Sequence, residues 1–443
     1  MAPVLDPEMA VPCGADHDPG PRVSLTHLSI SKGRLAMLLG GLAMFGPFSI
    51  DTIFPAFRAM GAEFGADKLA MQQTISVYLI AYAVTSVVHG PLSDAIGRRR
   101  VILGGLFVFV LGSIGCALAN DLTTLLVFRA LQGLSSGVGL IVGRAVIRDV
   151  LHGDDAQRLM SQVSMIFGIA PAIAPVRGGW ILGWSHWSAI FWFLVAFGAV
   201  LLAAVWRWLP ETHPPEARLA LVPRRLLRDY VAIWINPRFQ RLAAASTFNF
   251  AALWLYIASA PAFVLDLLRL HGRRLTESEF GWFFVPMIGG MILGAFVSGR
   301  AAGRISGERL VGIGFACSAV AMAANLGYTT LADTLQVPWA VLPIALNAFG
   351  VALVFPIVTL AILDMYPHQR GSASSLQAFT SLVLNALIAG VLAPLISGRA
   401  LWLVAVATTF LTIAWLFWRW EMGASRPWGG YPGEAGAVPG ESL

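Results

Sequence analysis

The chain has 443 residues, of which 57% are hydrophobic and 12% are charged, and its formal net charge is +6. Soluble domains have roughly 45–50% apolar and about 25% charged residues, so this composition predicts a membrane protein. Three cysteines, Cys13, Cys116 and Cys317, are too few and too scattered for a disulfide framework or a structural zinc site. The positive charge indicates contact with anionic lipid, not nucleic acid, because no basic stripe is interleaved with aromatic residues.

The two ends of the chain differ in composition from the rest. Residues 1–33 contain Pro, Asp and Glu and lack the basic start and apolar core of a signal peptide. We expect 1–33 to be a disordered cytoplasmic tail, and we expect the same of 421–443, which is rich in Gly, Pro and Glu.

Twelve apolar runs between these tails have the length of a membrane-spanning helix, which needs about 20 residues. They predict an all-α membrane protein with twelve transmembrane helices in two pseudo-symmetric six-helix bundles, residues 34–209 and 243–420. A basic cytoplasmic linker, 210–242, joins the bundles. The predicted spans are 34–58, 72–92, 99–119, 122–147, 157–183, 188–209, 243–266, 280–303, 309–331, 337–360, 372–397 and 399–420.

The distribution of Lys and Arg predicts how the spans are oriented. With both termini inside, the inner connectors carry 16 of these residues and the tails five more, whereas the outer connectors carry six. This bias places both termini in the cytoplasm. A weak internal repeat also relates the halves, because Gly-Arg follows the second span at Gly97 and the eighth span at Gly303.

The segment GPLSDAIGRRR follows the second span at 90–100. It closely resembles the signature G-x-L-x-D-x-x-G-R-[RK] of the major facilitator superfamily. In that family the segment acts as a gate that holds the two halves in one conformation. Asp94 and the arginines can form a charge-assisted network, and Gly90 and Gly97 let helix ends approach closely. Alternatively, the segment is a topology signal and a helix cap. The expected gating residues here are Gly90, Asp94, Gly97, Arg98 and Arg99.

Five further segments carry a narrower resemblance: DTIFPA at 51–56, RALQG at 129–133, APAIAPVRGGW at 170–180, WSAIFW at 187–192 and LPET at 209–212. They are similar to signatures of the drug:proton antiporters, and within them of the Bcr/CflA multidrug efflux subfamily. Ser188 and Arg177 depart from that pattern. The resemblance covers about residues 34–420 and implies proton-coupled efflux of amphiphilic drugs by alternating access.

Charges within apolar spans are costly, at least ~2.5–3.5 kcal/mol near the bilayer centre, so they are usually functional or line water. The candidates are Asp51, Arg129, Arg144 and Arg177. Asp51 and Arg129 each lie seven residues from a predicted outer helix end, or ~10 Å deep. Both spans line the central cavity in the family, so the two side chains could approach one another.

Asp51 is therefore the candidate for coupling proton and substrate. Burial and a nearby arginine shift the pKa of a carboxyl in opposite directions, which allows a proton to be loaded and released. Alternatively, Asp51 caps or kinks the helix before Pro55. Arg129 either positions Asp51 or an anionic substrate group, or ties backbone carbonyls or Gln132.

The fifth span is rich in Pro and Gly, which bend a helix and permit close packing. In the family this segment seals the outer ends of the halves and restricts proton leak. The alternative is an ordinary kinked helix. Arg177 either faces the cavity, where it would disfavour strongly cationic drugs, or reaches the outer interface. The candidate gating residues of this span are Pro171, Pro175, Gly178 and Gly179.

Polar side chains in the second half are candidates for substrate contact in a broad apolar cavity. They are Asn249 and Tyr256 in the seventh span, Asn347 in the tenth and Asn385 in the eleventh. Packing inside the bundle is the alternative role for these residues.

Other functional classes are disfavoured, because the eight His form no metal-ligand spacing and the chain contains no phosphate-binding loop. We expect no enzyme activity, cofactor or metal. The expected partners are a drug-like small molecule, protons and the lipid bilayer, with a monomer as the default state. The expected location is the bacterial inner membrane. The alternative function is a proton-coupled importer, or an exporter, of a physiological metabolite.

Overall fold

The computed structural model describes residues 30–151, 153–218, 221–301, 304–366 and 369–424. Most of the two predicted tails and Gly303 of the internal repeat lie outside these ranges. Within them, the first helix begins at Lys32 and the last helix ends at Ala424.

The first half of the chain is helical almost throughout. A 3-10 turn, Phe54–Ala56, and a π-helical turn, Val138–Val142, interrupt two of its long helices. Its α-helices are Lys32–Asp51, Phe57–Phe64, Lys68–Ile96, Arg98–Ala117, Leu122–Gly137, Gly143–Val150, Gly153–Trp184 and Ser188–Trp208.

The connector that follows contains a short helical turn, Pro215–Ala217, and the helix Pro223–Trp234. The second half has π-helical turns at Phe263–Leu267 and Ile388–Leu392 and a 3-10 turn at Glu277–Glu279. Its α-helices are Pro237–Ala258, Ala260–Ala262, Gly281–Ala301, Gly307–Leu331, Leu342–Met365, Arg370–Leu387, Ala393–Ile396 and Ala400–Ala424.

Three short strands form a small sheet beside these helices. They are β1 (Leu268–Leu270), β2 (Arg273–Arg274) and β3 (Leu335–Gln336), in the order β2-β1-β3. Strand β1 is antiparallel to β2 and parallel to β3. Two or three residues are too few for an alternating pattern, so the sequence did not predict these strands.

The described residues contain eleven helical segments long and apolar enough to cross a membrane. One further span, the seventh in chain order, consists of the helical segments Pro237–Ala258 and Ala260–Leu267, which are bent by 44° at their junction. It brings the total to twelve. The prediction of twelve helices in two six-helix bundles is therefore confirmed. These segments are called the first to twelfth spans below, in chain order.

Several span ends differ from the predicted ones for local reasons. The first span continues beyond the turn at Phe54–Ala56 and ends at Phe64. The tenth span begins at Leu342, not at residue 337, because the apolar residues before it belong to the edge of the sheet. There the backbone N–H of Val337 donates to the carbonyl of Arg269 (2.9 Å).

The molecule has two faces that border the membrane. An even number of spans places Lys32 and Ala424 on the same face, which we call the terminal face. The opposite face, with the turn after the first span and the three-stranded sheet, is called the distal face. Neither name states which face borders the cytoplasm.

The two halves contact each other directly toward the distal face. Side chains of the second span donate to backbone carbonyls of the second half: Gln72 to Ala258 (3.0 Å), Gln73 to Gly390 (2.8 Å) and Ser76 to Ala386 (3.0 Å). We call these three contacts, together with the packing of the fifth span on the eighth, the distal seal. The described hydrogen bonds between membrane spans of opposite halves all lie at this end.

At the terminal face the connector helix links the halves. The hydroxyl of Tyr230 donates to the carbonyl of Val87 in the second span (2.7 Å) and also interacts with Ser375 in the eleventh. Burial raises the pKa of Tyr230 to about 12, so this hydroxyl keeps its proton at physiological pH.

The ends of the seventh and twelfth spans are joined by a buried carboxylate. Glu421 accepts from Nε of Arg238 (2.7 Å) and from Nε of Arg241 (2.8 Å), and only 1% of its side chain is exposed. Removing one partner of a fully buried pair costs roughly 3–5 kcal/mol.

Glu421→Gln should therefore lower the free energy of unfolding by about 2 kcal/mol, which is less than the full figure because Arg238 is partly exposed. The measurement is thermal unfolding of purified protein, followed by tryptophan fluorescence. Asp155→Asn is the control, because it removes only the exposed pair with Lys32, worth roughly 0–1 kcal/mol. Equal unfolding temperatures for the two variants would contradict the prediction.

Candidate functional site

Arg129 holds three spans of the first half together. Its Nε donates to the carbonyl of Thr74 (3.1 Å), and its Nη1 donates to the carbonyl of Ser49 (3.0 Å) and to Oε1 of Gln132 (2.8 Å). The guanidinium also lies 4.4 Å from the ring centroid of Tyr78. The side chain is fully buried, so backbone carbonyls and an aromatic face compensate its charge.

Asp51 lies at the last residue of the first helix and is buried. Its carboxyl makes no hydrogen bond or ion pair with any described residue, and Oδ1 is completely enclosed. The backbone N–H and the hydroxyl of the next residue, Thr52, both donate to the carbonyl of Phe48. The helix end is therefore satisfied without the Asp51 side chain, which does not act as a cap in this state.

The structure does not pair Asp51 with Arg129, an approach that the sequence left open. The donors of Arg129 point to Thr74 and Ser49, two residues before Asp51, and its Nη2 has no partner among the described residues. Tyr78 lies within electrostatic reach of both charges. The two candidate residues are therefore neighbours around Tyr78 without being an ion pair.

A second charged cluster lies at the terminal face, at the start of the third span. Arg98 is buried and forms ion pairs with Asp94 and, through Nε, with Asp149 (3.0 Å). The backbone N–H of Arg98 donates to Glu211 (2.9 Å). Gly97 has φ +105°, and a Cβ there would overlap the carboxylate of Glu211. This position therefore favours glycine both by conformation and by space.

Two further residues of this segment have different surroundings. Nη2 of Arg99 donates to the carbonyl of Trp206 at the end of the sixth span (2.7 Å). The expectation that Gly90 permits a close approach of helices is wrong for this state, because a Cβ there would meet no atom within 4 Å. The helix is loosely packed at that point, so a side chain would fit.

The sequence did not reveal the partners Asp149 and Glu211. Asp149 lies 51 residues and Glu211 113 residues from Arg98 along the chain. The LPET segment at 209–212 signalled only that the sixth span ends there. Thr212 of that segment also donates to Asp149 (3.2 Å).

The fifth span packs closely on both halves. Its helix runs without a break through Pro171 and Pro175. A Cβ on Gly178 would overlap the carbonyl of Thr52, and one on Gly179 would overlap the carbonyl of Glu277 in the second half. These glycines allow backbone-to-backbone contact at the distal seal.

An ionic cluster crosses the halves at the distal face. Asp266 accepts from Nζ of Lys68 (2.8 Å) and forms an ion pair with Arg58, which lies 3.9 Å from Glu277. We call these four residues the distal ion cluster. Three of them, Arg58, Lys68 and Asp266, border a cleft of about 260 Å³ between the halves. No local pattern indicated this cluster, because about 200 residues separate Asp266 from its partners.

The candidate cavity residues do not form one cluster. Arg177 is exposed and lies 5.5 Å from the ring centroid of Phe193 in the sixth span. The hydroxyl of Tyr256 accepts from the amide of Asn325 in the ninth span (2.8 Å). Both residues thus contact neighbouring spans of their own half.

Three asparagines of the second half have polar atoms without partners among the described residues. Asn249 and Asn347 are fully buried, and neither their amide nitrogens nor their oxygens are hydrogen-bonded. Asn385 is also buried, with a free side-chain oxygen, while its backbone carbonyl accepts from Trp254 (3.0 Å). Buried amides without partners are unfavourable, so these positions are suited to bind another polar group.

Two six-helix bundles, sealed at one face and carrying a buried carboxyl beside the seal, define a multi-pass membrane transporter. The family model described as Major Facilitator Superfamily matches residues 37–385. The chain therefore belongs to the Major Facilitator Superfamily, as the motif at 90–100 indicated.

Two bacterial relatives and one solved structure illustrate the likeness. The bicyclomycin resistance protein homolog of Haemophilus influenzae is 26% identical, over 63% of this chain and 69% of that protein. Multidrug resistance protein D of Escherichia coli is 27% identical, over 77% of this chain and 84% of that protein. The solved structure is that of a bacterial homolog of the human lysosomal transporter Spinster, in an inward-facing and unoccupied conformation. It has a TM-score of 0.66 and 16% sequence identity, over 88% of this chain and 96% of that one. That structure shows the shared fold.

Arg129→Lys should destabilise the first half, because one ammonium cannot reach the carbonyls of both Thr74 and Ser49. Loss of a hydrogen bond from a charged donor costs about 1.5–3 kcal/mol, so the unfolding temperature should fall and transport should weaken. Thermal unfolding and transport in vesicles measure the two effects. Arg100→Lys, on the exposed side of the third span, is the control. Unchanged stability and transport in Arg129→Lys would show that the planar guanidinium group is not required at this position.

Asp266→Asn should loosen the distal face, because it removes the carboxylate shared by Lys68 and Arg58. A cysteine reporter, Ala262→Cys, lines the cleft at this point, in a protein whose three native cysteines are replaced by serine. Reaction of the reporter with a polar maleimide should become several-fold faster in Asp266→Asn.

Glu279→Gln is the matched control, because it breaks a pair with Arg273 that stays within one connector. Equal reaction rates in Asp266→Asn and in the unmodified background would show that the distal ion cluster does not hold the halves together.

Proposed function

We propose that this protein exports small amphiphilic drugs from the cytoplasm across the bacterial inner membrane in exchange for protons. Efflux of drugs agrees with the names of its relatives, a bicyclomycin resistance protein homolog and multidrug resistance protein D. The observation that carries the proposal is the Asp51 carboxyl, which is buried beside the distal seal and forms no ion pair among the described residues.

A buried carboxyl without a partner suits reversible protonation. Its charge is costly in apolar surroundings, and no compensating cation must be displaced when the proton binds. The backbone of the adjacent Thr52 packs on Gly178 of the fifth span. A change of charge at Asp51 therefore acts next to the contact that keeps the distal face closed.

The proposed orientation puts the terminal face in the cytoplasm. The surplus of Lys and Arg in the connectors of that face supports it. With the distal seal closed, the molecule is then open toward the cytoplasm. The proposed moving units are residues 34–209 and 243–420, which rock about the linker 210–242, and the proposed oligomeric state is a monomer.

Transport then follows from alternate binding of substrate and proton. Substrate enters from the cytoplasm and binds between the halves, where Asn249, Asn347 and Asn385 offer amide groups. The halves rock, the distal seal opens, and a proton from outside neutralises Asp51 as the substrate leaves. Because the protein holds either the substrate or the proton on Asp51, the two fluxes are linked.

Asp51→Asn should abolish exchange, because an amide has the same shape as the carboxyl but does not bind or release this proton. Everted vesicles with an acidic interior are given bicyclomycin or chloramphenicol, and collapse of the pH gradient is recorded with a fluorescent dye. Wild type should collapse the gradient, and Asp51→Asn should not.

Asp333→Asn is the matched control, because Asp333 is exposed in the connector before the tenth span. Both variants must be present in the membrane at wild-type amounts. Gradient collapse by Asp51→Asn at the wild-type rate would exclude Asp51 as the coupling residue. Failure of both drugs with wild type would favour a metabolite substrate or an importer.

A further inference from the structure

Arg144 is a charged residue inside the fourth span for which no described residue supplies a hydrogen bond or ion pair. It is the second residue of the helix Gly143–Val150, which follows the π-helical turn of the fourth span. Val150, the last residue of the span, is six positions further on, so Arg144 lies ~9 Å from the terminal end of the span. A charge at this depth must be hydrated or bound to another group.

Nothing described nearby neutralises Arg144. Its guanidinium makes no hydrogen bond or ion pair with a described residue, and its electrostatic neighbours are Tyr82 and Arg148. Arg148 lies one helical turn further on, is also exposed and is likewise unpaired among the described residues. The adjacent acid, Asp149, already accepts from Arg98 and Thr212.

Arg144 lies next to two other spans of the first half. Its side chain is solvent accessible, and Tyr82 of the second span, which is partly exposed, is within electrostatic reach of the guanidinium. A Cβ on the preceding Gly143 would lie 3.6 Å from Leu39 of the first span. Arg144 is therefore accessible where the first, second and fourth spans meet.

The local backbone explains how the arginine reaches this position. The π-helical turn brings the fourth span against the first, where a Cβ on Gly139 would overlap the carbonyl of Leu42. Such wide turns often re-aim side chains at functional sites. Beyond the turn Ala145, Val146 and Ile147 are buried, while Arg144 remains accessible.

We propose that Arg144 is a binding subsite for an anionic group of the substrate, such as a carboxylate, near the terminal opening. This inference rests on the proposed transport function and narrows its substrate class to amphiphiles with an acidic group. The guanidinium has five N–H donors in a planar fork that matches a carboxylate. Arg129 does not compete for this role, since it is fully buried and its Nε and Nη1 already donate to Thr74, Ser49 and Gln132.

The subsite lies far from the coupling carboxyl. Leu39 is the nearest neighbour of Gly143 in the first span, and Asp51 follows twelve residues later, which corresponds to ~18 Å along the helix. A small drug does not bridge this distance. Arg144 therefore binds the substrate on its way in, before the substrate reaches the level of Asp51.

The test compares chloramphenicol with chloramphenicol hemisuccinate, which has the same scaffold plus a carboxylate. Both are titrated calorimetrically into purified protein in nanodiscs of phosphatidylcholine. Wild type should bind the hemisuccinate more tightly. Arg144→Gln should weaken hemisuccinate binding about tenfold or more, the loss expected for a charge-assisted hydrogen bond. The Kd of chloramphenicol should stay within about twofold of its wild-type value. Arg144→Lys should retain part of the preference.

Arg399→Gln, an exposed arginine at the distal face, is the control and should behave as wild type. Equal binding of the two compounds by wild type, absence of hemisuccinate binding, or unchanged preference in Arg144→Gln would overturn the proposal. A second set of nanodiscs contains phosphatidylglycerol. If that lipid displaces the hemisuccinate from wild type, the anion held by Arg144 is a lipid head group, and the substrate assignment fails.

The outcome is separable from that of the proposed function. Gradient collapse by wild type but not by Asp51→Asn, with no effect of Arg144→Gln on preference, would retain proton antiport and reject the anion subsite. A clear effect of Arg144→Gln on preference in a protein that exchanges no protons would retain the subsite alone.

Discussion

Arg129 is fully buried, and its charge is compensated by backbone carbonyls of the first and second spans without a carboxylate. Charged groups inside a membrane protein need compensation of this kind. Because backbone carbonyls compensate the charge of Arg129, Asp51 in the same region has no salt bridge with a described residue. The framework of the first half therefore does not depend on the charge of Asp51, and that charge can change while the framework persists.

The two faces of the molecule are held by different kinds of contact. At the terminal face the described polar contacts of Arg98 go to Ser93, Asp94, Asp149 and Glu211, which all belong to the first half or directly follow it. In this state they stiffen one half. At the distal face, Asp266 and Gly179 contact the opposite half. Opening the distal face must therefore break contacts between the halves, whereas Arg98 keeps its described partners.

The sequence predicted what depends on local pattern. Apolar runs of about 20 residues revealed the spans, and isolated charges within them revealed Asp51 and Arg129 as candidates. It did not predict Asp266 as a partner of Arg58, because the two are 208 positions apart in the chain and their contact exists only when the halves meet. Nor did it show which way Arg144 points, since the π-helical turn at Val138–Val142 shifts the helical phase.

The distance between Arg144 and Asp51 explains how an unpaired cation and an unpaired acid can coexist in one half. Two opposite charges 4 Å apart attract by about 4 kcal/mol at an effective dielectric constant of 20, but by only about 1 kcal/mol at ~18 Å. At the shorter distance the two side chains would form an ion pair and neither would be available to a ligand. At the longer one, each retains its binding capacity. Anion recognition near the opening and proton binding beside the distal seal are then separate steps along one path.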